Sequence, residues 1–314
     1  MIPFVKFKWA AISLSIFIIV GAYYKTFYVF NGFSKGIDFA GGIKLEISLN
    51  DKVTIESLRD FFSNRSINAV VQKTDKGSAN MAKIEIGGQE EKRLEEQAEK
   101  EKEALDKANY SINSVDYIKY LMLADIVSGD SQKIEFVGVD HVGPTVGDYL
   151  KDSAIKLLLV TLVLITLYVT FRFRFQFAVG ALIALLHDLF MTLGIIGFLE
   201  IPLSIPVIAA LLTILGYSIN DTIVIYDRIR ENVSGHDNID MGKAINQSIN
   251  ESLSRTIITS VTTLVAVAAI YFLTDDMLKD MALVLIFGII IGTYSSPFIA
   301  SPVVLIWDKF AKKT

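Results

Sequence analysis

The sequence predicts an α-helical membrane protein, with six spanning helices and one folded α+β domain outside the membrane. Three observations predict it. Hydrophobic residues fill 52% of the 314 positions and charged residues only 20%, whereas an ordinary soluble domain carries about 25% charged. The apolar excess, a mean hydropathy of +0.46, gathers into six long runs rather than spreading evenly. Between the first and second runs lies a long segment with strand and helix periodicities of its own. A disordered, collagen-like or coiled-coil chain and a single soluble globule are thereby excluded. Without cysteine there is no disulfide framework, thiolate zinc site or cysteine nucleophile. A formal charge of −4 with no basic stripe gives no reason to expect nucleic acid as a partner.

A helix needs roughly 20 apolar residues to cross about 30 Å of hydrocarbon. The qualifying stretches run from Trp9 to Tyr24, Ala154 to Phe171, Phe175 to Leu199, Pro202 to Tyr226, Thr256 to Leu273 and Met281 to Trp307. The first is short, and Ile2 to Val5 with the snorkelling Lys6 and Lys8 extend it. Its basic start and apolar middle resemble a signal peptide. No small-x-small cleavage site follows in Ala22-Tyr-Tyr-Lys25, which predicts an uncleaved anchor.

Lysine and arginine set the expected orientation. Lys6 and Lys8 precede span one, and Arg172 and Arg174 occupy the turn between spans two and three. Arg228, Arg230, Lys243 and Arg255 lie between spans four and five, and Lys309, Lys312 and Lys313 end the chain. The opposite short loops hold Glu200 and then Asp275, Asp276, Lys279 and Asp280. All four basic regions share one face, which predicts cytoplasmic termini and an external segment from Phe27 to Asp152. The expected division is 1–30 for the N-terminus and first span, 31–152 for the external domain, and 153–314 for the remaining spans.

A stretch that long is no loop. Gly41 to Leu49 alternates apolar and polar residues as a half-buried strand does. Val53 to Asn64 has helical spacing through Ile55, Leu58, Phe61 and Phe62, and strand-like runs follow at Ile67 to Lys73 and Met81 to Ile86. Gln89 to Ala124 reads as one or two helices, and the charge run Glu90 to Ala104 as a solvated helical face. A last strand, Lys133 to Val139, completes β-α-β-β-α-β, the split βαβ or ferredoxin-like arrangement.

Ionisable groups inside a span are costly and therefore mark candidate functional positions. In span four, Asp221 lies six residues before Asp227, roughly 9 Å inside the charged end at 1.5 Å per residue. Gly216 is near one turn away, and Tyr217, Asn220 and Val224 continue a stripe at helical spacing; a small residue admits a neighbouring helix and an amide bonds across the contact. Asp221 is thus either a polar clamp between helices or a carboxylate that takes up and releases a proton. Arg255, entering span five from the same side, is either its counter-charge or a positive-inside anchor. His187 and Asp188 in span three extend a proton path or satisfy each other. On helix rise Asp188 and Asp221 differ in depth by roughly 10 Å, which argues against a shared-proton aspartyl dyad. With three histidines, no HExxH and no Gly-Lys-Ser/Thr loop, no metal, no cofactor and no hydrolytic site are expected. Gly288-Ile-Ile-Ile-Gly292 reads as helix packing.

Several boxes together resemble one family. Gly36-Ile-Asp-Phe-Ala-Gly-Gly42 resembles its GxDFxGG box, carrying Gly36, Asp38, Gly41 and Gly42, and His141-Val-Gly-Pro-Thr-Val-Gly147 its second box, with Gly143 and Pro144. Ala178-Val-Gly-Ala through His187-Asp188, Gly216-Tyr-Ser-Ile-Asn-Asp-Thr and Asp227-Arg-Ile-Arg-Glu-Asn232 are similar to the membrane signature of the SecF proteins. These belong to the SecD/SecF family of protein-export membrane proteins, within the resistance-nodulation-division superfamily. The resemblance covers nearly the whole chain; the charged Glu90–Ala104 stretch matches no box.

The resemblance implies a bacterial inner-membrane subunit that assists protein export with the proton motive force and has no hydrolytic site of its own. It implies Asp221 as proton carrier and Arg255 as its partner, with Asn220, Asp188 and His187 accessory. The implied partners are a SecD-like subunit, the Sec channel with accessory membrane proteins, unfolded exported polypeptides and protons. The Gly-x-x-x-Asn-Asp box occurs once, so the chain is expected to be one half of a pseudo-symmetric twelve-helix unit. Protonation of Asp221 would then switch helix packing and move the external domains. Two other readings stand beside this one: a non-conducting scaffold holding SecD to the channel, and a proton-driven exporter of small solutes.

Overall fold

The computed structural model describes residues 1–49, 53–76, 79–104, 114–126, 135–234, 240–274 and 276–311. Asp275, Lys312 and Lys313, and the first residues of the expected last strand, lie outside them. The chain divides into a helical unit, Met1–Ser34 with Ala154–Thr314, and an α+β unit, Lys35–Ser153.

The α+β unit carries four strands, β1 (Gly42–Ser48), β2 (Ala69–Lys76), β3 (Ala79–Gly87) and β4 (Phe136–Val142), in the order β2-β3-β1-β4. Neighbours are antiparallel, with Leu45 opposite Ile84 on one side and Val139 on the other. The helices are α2 (Ile37–Ala40), α3 (Ile55–Asn64), α4 (Gly88–Ala104) and α5 (Ser114–Ile126), so the expected split βαβ order stands. Alternation builds the core: Ile43, Leu45 and Ile47 of β1 and Ala82, Ile84 and Ile86 of β3 are fully buried against Leu58 and Phe62 of α3 and Ile118 and Met122 of α5. Thr54 starts α3 through a capping box with Ser57, each side chain bonding the other's backbone N–H at 3.1 and 2.9 Å. The charged α4 is less solvated than its composition suggests. Glu91, Leu94 and Ala98 form a buried stripe at helical spacing, and Glu91 bonds His141 of β4.

Both glycine boxes are architectural parts of this unit. Gly36 accepts from the backbone of Phe39 and Ala40 at 3.1 and 3.0 Å, closing the single turn of α2. Gly42 then enters β1 at φ +132°, and a Cβ there would run into the carbonyl of Ile86 on β3. In the second box Gly143 caps α6 (Pro144–Arg172), accepting from Val146 and Gly147 at 3.0 and 3.1 Å. Pro144 takes the first helical position, where its missing N–H costs nothing. Gly147 sits over the first box, its Cβ position 3.2 Å from the Gly41 nitrogen.

The helical unit contains six long apolar helical segments, the shortest 24 residues, or about 36 Å at 1.5 Å per residue. The first joins a turn at Phe4–Phe7 to α1 (Lys8–Tyr24) and a π-helical turn at Lys25–Val29. Then come α6, α7 (Phe175–Phe198), α8 (Ile205–Ser234) and α9 (Met241–Leu273). The last segment is α10 (Asp276–Ser295), a π-helical turn at Ser296–Ala300 holding Pro297, and α11 (Ser301–Ala311). Helices α7, α8 and α10 form the centre, while only 17% of the apolar window of α6 or α9 is buried.

Several span boundaries differ from expectation, among them the start of α6 at Pro144 rather than Ala154. Helix α9 begins at Met241, not Thr256, because hydropathy detects only the apolar part of a helix that continues as a polar one. Asp240 caps it, accepting from the Gly242 N–H at 3.2 Å. Helix α8 likewise runs two turns past Tyr226.

Candidate functional site

Helix α8 places its candidates on two opposite faces. Leu211, Ile214, Leu215, Ser218, Asp221, Thr222 and Ile225 form a buried stripe, whereas Gly216 and Asn220 are exposed. The expected close approach at Gly216 is absent within this chain, since a Cβ there would meet nothing within 4 Å. The close approach occurs instead on α10. A Cβ on Gly288 would fall inside the Ile214 side chain, and one on Gly292 would lie 2.9 Å from Ser218 Cβ. The GxxxG therefore seats α10 on α8, as small residues do between membrane helices.

That contact builds a polar layer. Asp188 of α7 is fully buried, and its carboxylate accepts from His187 Nδ1 at 2.9 Å, from Ser295 Oγ of α10 at 2.8 Å and from Ser218 Oγ of α8. One turn further along α8, Thr222 Oγ1 bonds Ser296 Oγ at 2.8 Å in the π-helical turn, and Ser301 Oγ donates to the Ser296 carbonyl at 2.9 Å. The His187 ring lies 6.3 Å from that of Tyr294, whose hydroxyl donates to the Ala11 carbonyl at 2.9 Å. His187 and Asp188 thus satisfy each other in part, and two serines complete the carboxylate's partners. Asp188 bonds α8 three residues before Asp221, about 4.5 Å along the axis, closer than the depths counted from sequence.

Asp221 is the contrasting carboxylate. It is 3% exposed, and its Oδ2 has no hydrogen-bond partner. Arg255 on the neighbouring α9 is exposed and forms no ion pair with it at 4.0 Å or less among the described residues. Beside Arg255, Thr256 is buried with its hydroxyl unpartnered. The face of α9 turned inward is small and hydroxylic, through Ser252, Thr256 and Ser260, and Ser260 Oγ meets Thr293 Oγ1 of α10 at 2.7 Å. Toward the basic end, Asp227 of α8 pairs with Arg230 at 3.0 Å and with Arg172 at 3.5 Å. Arg228 is shared by Glu231 and Glu251 at 2.7 and 2.5 Å. Asn220, on the exposed face, has no hydrogen bond among the described residues.

The structure therefore brings His187 and Asp188 together, sets Asp221 one turn away, and leaves Arg255 and Asn220 on outward faces. Ser218, Thr222, Ser295 and Ser296 were not singled out from sequence. Their signal was present: Ser218 and Thr222 flank Asp221 at helical spacing, and Ser295-Ser296-Pro297 interrupts the last apolar run. Among the described residues no His/Asp/Glu group is arranged to hold a metal ion. The arrangement surrounds the Asp188 carboxylate with three donors and leaves an oxygen of the buried Asp221 carboxylate without one.

Residues 122–310 match the family described as protein export membrane protein SecD/SecF, C-terminal. The chain is 36% identical over 318 residues to the protein translocase subunit SecF of Rickettsia felis, covering 99% of this chain and 94% of that one. It is also 36% identical over 314 residues to the SecF subunit of Thermodesulfovibrio yellowstonii, with 98% and 95% covered. Its structure matches that of SecDF, a translocon-associated membrane protein of Thermus thermophilus, with a TM-score of 0.78 and 30% identity over 98% of this chain. It spans only 39% of the length of that SecDF chain.

Proposed function

The chain belongs to the SecF branch of the SecD/SecF protein export membrane proteins, a multi-pass, non-enzymatic transport component, and on that premise we propose that Asp221 carries protons for export. In this reading the protein works beside a SecD-like subunit and the Sec channel in the bacterial inner membrane. It draws on the proton motive force to help complete the passage of unfolded polypeptides. The observation that carries the reading is the difference between two buried carboxylates. The Asp188 carboxylate is met by three donors, whereas the buried Asp221 keeps an unpartnered oxygen on a helix that packs against α9, the helix of Arg255.

An unpartnered carboxylate oxygen in a dry interior is costly. Taking up a proton removes that charge; releasing it restores the charge. Because α8 packs on α9 and α10 through serine, threonine and glycine contacts, such a change favours a different seating of these helices. Moving one charge through 100 mV supplies about 2.3 kcal/mol, enough for a few protons to move a domain. The positive-inside rule puts Lys6, Lys8, Arg172, Arg174, Lys243 and Lys309 on the cytoplasmic side. Both termini are then cytoplasmic and the α+β unit external, with chain divisions at 30/31 and 152/153.

The exposed Gly216 and Asn220 support docking of the SecD-like subunit on α8, as a half of a pseudo-symmetric transporter requires. The same face favours a second reading, in which the chain is a scaffold and Asp221 a packing residue. Export of a secreted protein in cells whose only copy carries Asp221→Asn separates the two, with copurification of SecD measured in parallel. The proton-carrier reading expects export to fall to the level of a deletion while the complex persists. Normal export with the complex intact gives the scaffold reading the lead.

A further inference from the structure

Four lysines from four segments converge on one cavity at the basic end of the helical unit. Lys6 comes from the Phe4–Phe7 turn, Lys8 from the start of α1, Lys243 from the first turn of α9 and Lys309 from α11, around a volume of about 550 Å³. Among the described residues Asp240 is the one acidic lining residue, and its Oδ1 is already engaged by the Gly242 N–H as the cap of α9. Among the described residues none of the four lysines is in an ion pair. Lys8 Nζ donates to the Val5 carbonyl at 3.3 Å. This contrasts with Arg172, Arg228 and Arg230 at the same end, each paired with a carboxylate.

The cavity wall is built by specific bonds. Asn250 of α9 clamps Ile2, accepting from its N–H at 2.8 Å and donating to its carbonyl at 2.9 Å. Asn246 accepts from the Val5 N–H at 3.5 Å. These amides fasten the segment of Lys6 and Lys8 to the helix of Lys243, and Val5 and Leu305 add apolar lining.

Its depth is marked independently. The chain has two tryptophans; Trp9 follows Lys8 directly and Trp307 precedes Lys309 by two residues, at 62% and 40% exposure. Exposed tryptophans of membrane helices sit at headgroup level. A concave site with four lysines that form no ion pair among the described residues, apolar lining and that depth suits a phosphate ester attached to acyl chains.

We propose that this cavity binds the phosphate headgroup of an anionic membrane lipid. The lysines act as point charges around the phosphate, and Val5 and Leu305 meet the start of the chains. This site needs neither Asp221 nor a choice of membrane side, so its failure leaves the proton-carrier reading untouched.

The test uses the full chain in phosphatidylcholine nanodiscs with trace spin-labelled phosphatidylglycerol or spin-labelled phosphatidylcholine. The immobilised fraction of each label gives their relative association. Phosphatidylglycerol is expected to be preferred, and each lysine beside an anionic headgroup contributes about fivefold. Lys6→Gln with Lys243→Gln should therefore bring the preference toward parity, while Lys6→Arg with Lys243→Arg keeps it and shows that the fold survives. Arg172→Gln with Arg174→Gln removes as much charge outside the cavity, at the depth of the Phe175–Trp307 ring contact, and should keep the preference. Equal loss in this control means diffuse surface charge and overturns the proposal. So does an unchanged preference in the lysine-to-glutamine variant, or displacement of the label by inorganic phosphate, which would make the site one for free anions.

Discussion

Asp188→Ala tests the polar layer quantitatively. The substitution removes a fully buried carboxylate that receives His187 Nδ1 at 2.9 Å, Ser295 Oγ at 2.8 Å and Ser218 Oγ. Between membrane helices one polar contact averages about 0.6 kcal/mol and reaches about 1.7, so three are worth about 2 kcal/mol at the mean and about 5 at the ceiling. The donors do not lose equally. Ser295 also reaches the Gly292 carbonyl at 3.1 Å and keeps a partner, whereas His187 Nδ1 and Ser218 Oγ are left searching. A loss of about 2–3 kcal/mol follows, most of it from the latter two groups. Asp188→Asn retains shape and an acceptor and should lose about 1 kcal/mol. Reversible unfolding of the purified protein in mixed micelles by SDS measures both. A cycle with Ser295→Ala should show coupling near the membrane mean of about 0.6 kcal/mol. Asp188→Ala within about 0.5 kcal/mol of the parent, the scatter of an uninvolved site, would refute the reasoning, as would zero coupling.

Gly42→Ala should destabilise the α+β unit by at least about 2 kcal/mol, combining strain at positive φ with a backbone collision, and amide exchange in β1 and β3 should accelerate. Gly87→Ala next to it meets open space and should be nearly silent in the same measurement. In the helical unit, Gly288→Leu drives a side chain into Ile214 and should lower the thermal midpoint of the isolated chain. Gly216→Leu, pointing into open space, should leave that midpoint unchanged and weaken copurification with SecD.

The strands of the α+β unit were legible because one face is buried and the alternation of Ile43, Leu45 and Ile47 exposes it. The charge run of α4 hid its docking stripe, since two apolar residues among many charges leave little periodic signal. Spans were legible as apolar runs, but their ends were not. The polar segment from Met241 to Ser254 stays helical without any hydropathy to report it. Asp221, Asp188 and His187 stood out because ionisable groups are rare in hydrocarbon. Their hydroxyl partners did not, because serine and threonine are ordinary in spans and only the seating of α10 on α8 selects Ser218 and Ser295. Gly216-Asn220 and Gly288-Gly292 look alike as small-residue patterns, and the sequence alone does not say which faces its own bundle. The structure turns the second inward and the first outward.

The central claim is that Asp221 takes up and releases a proton. Difference infrared spectra of the reconstituted protein across pH measure this at the carboxylic-acid carbonyl stretch. The expected result is a band that appears and vanishes with pH, is lost in Asp221→Asn and persists in Asp188→Asn. A titrating band that survives Asp221→Asn, or one lost only in Asp188→Asn, would contradict it.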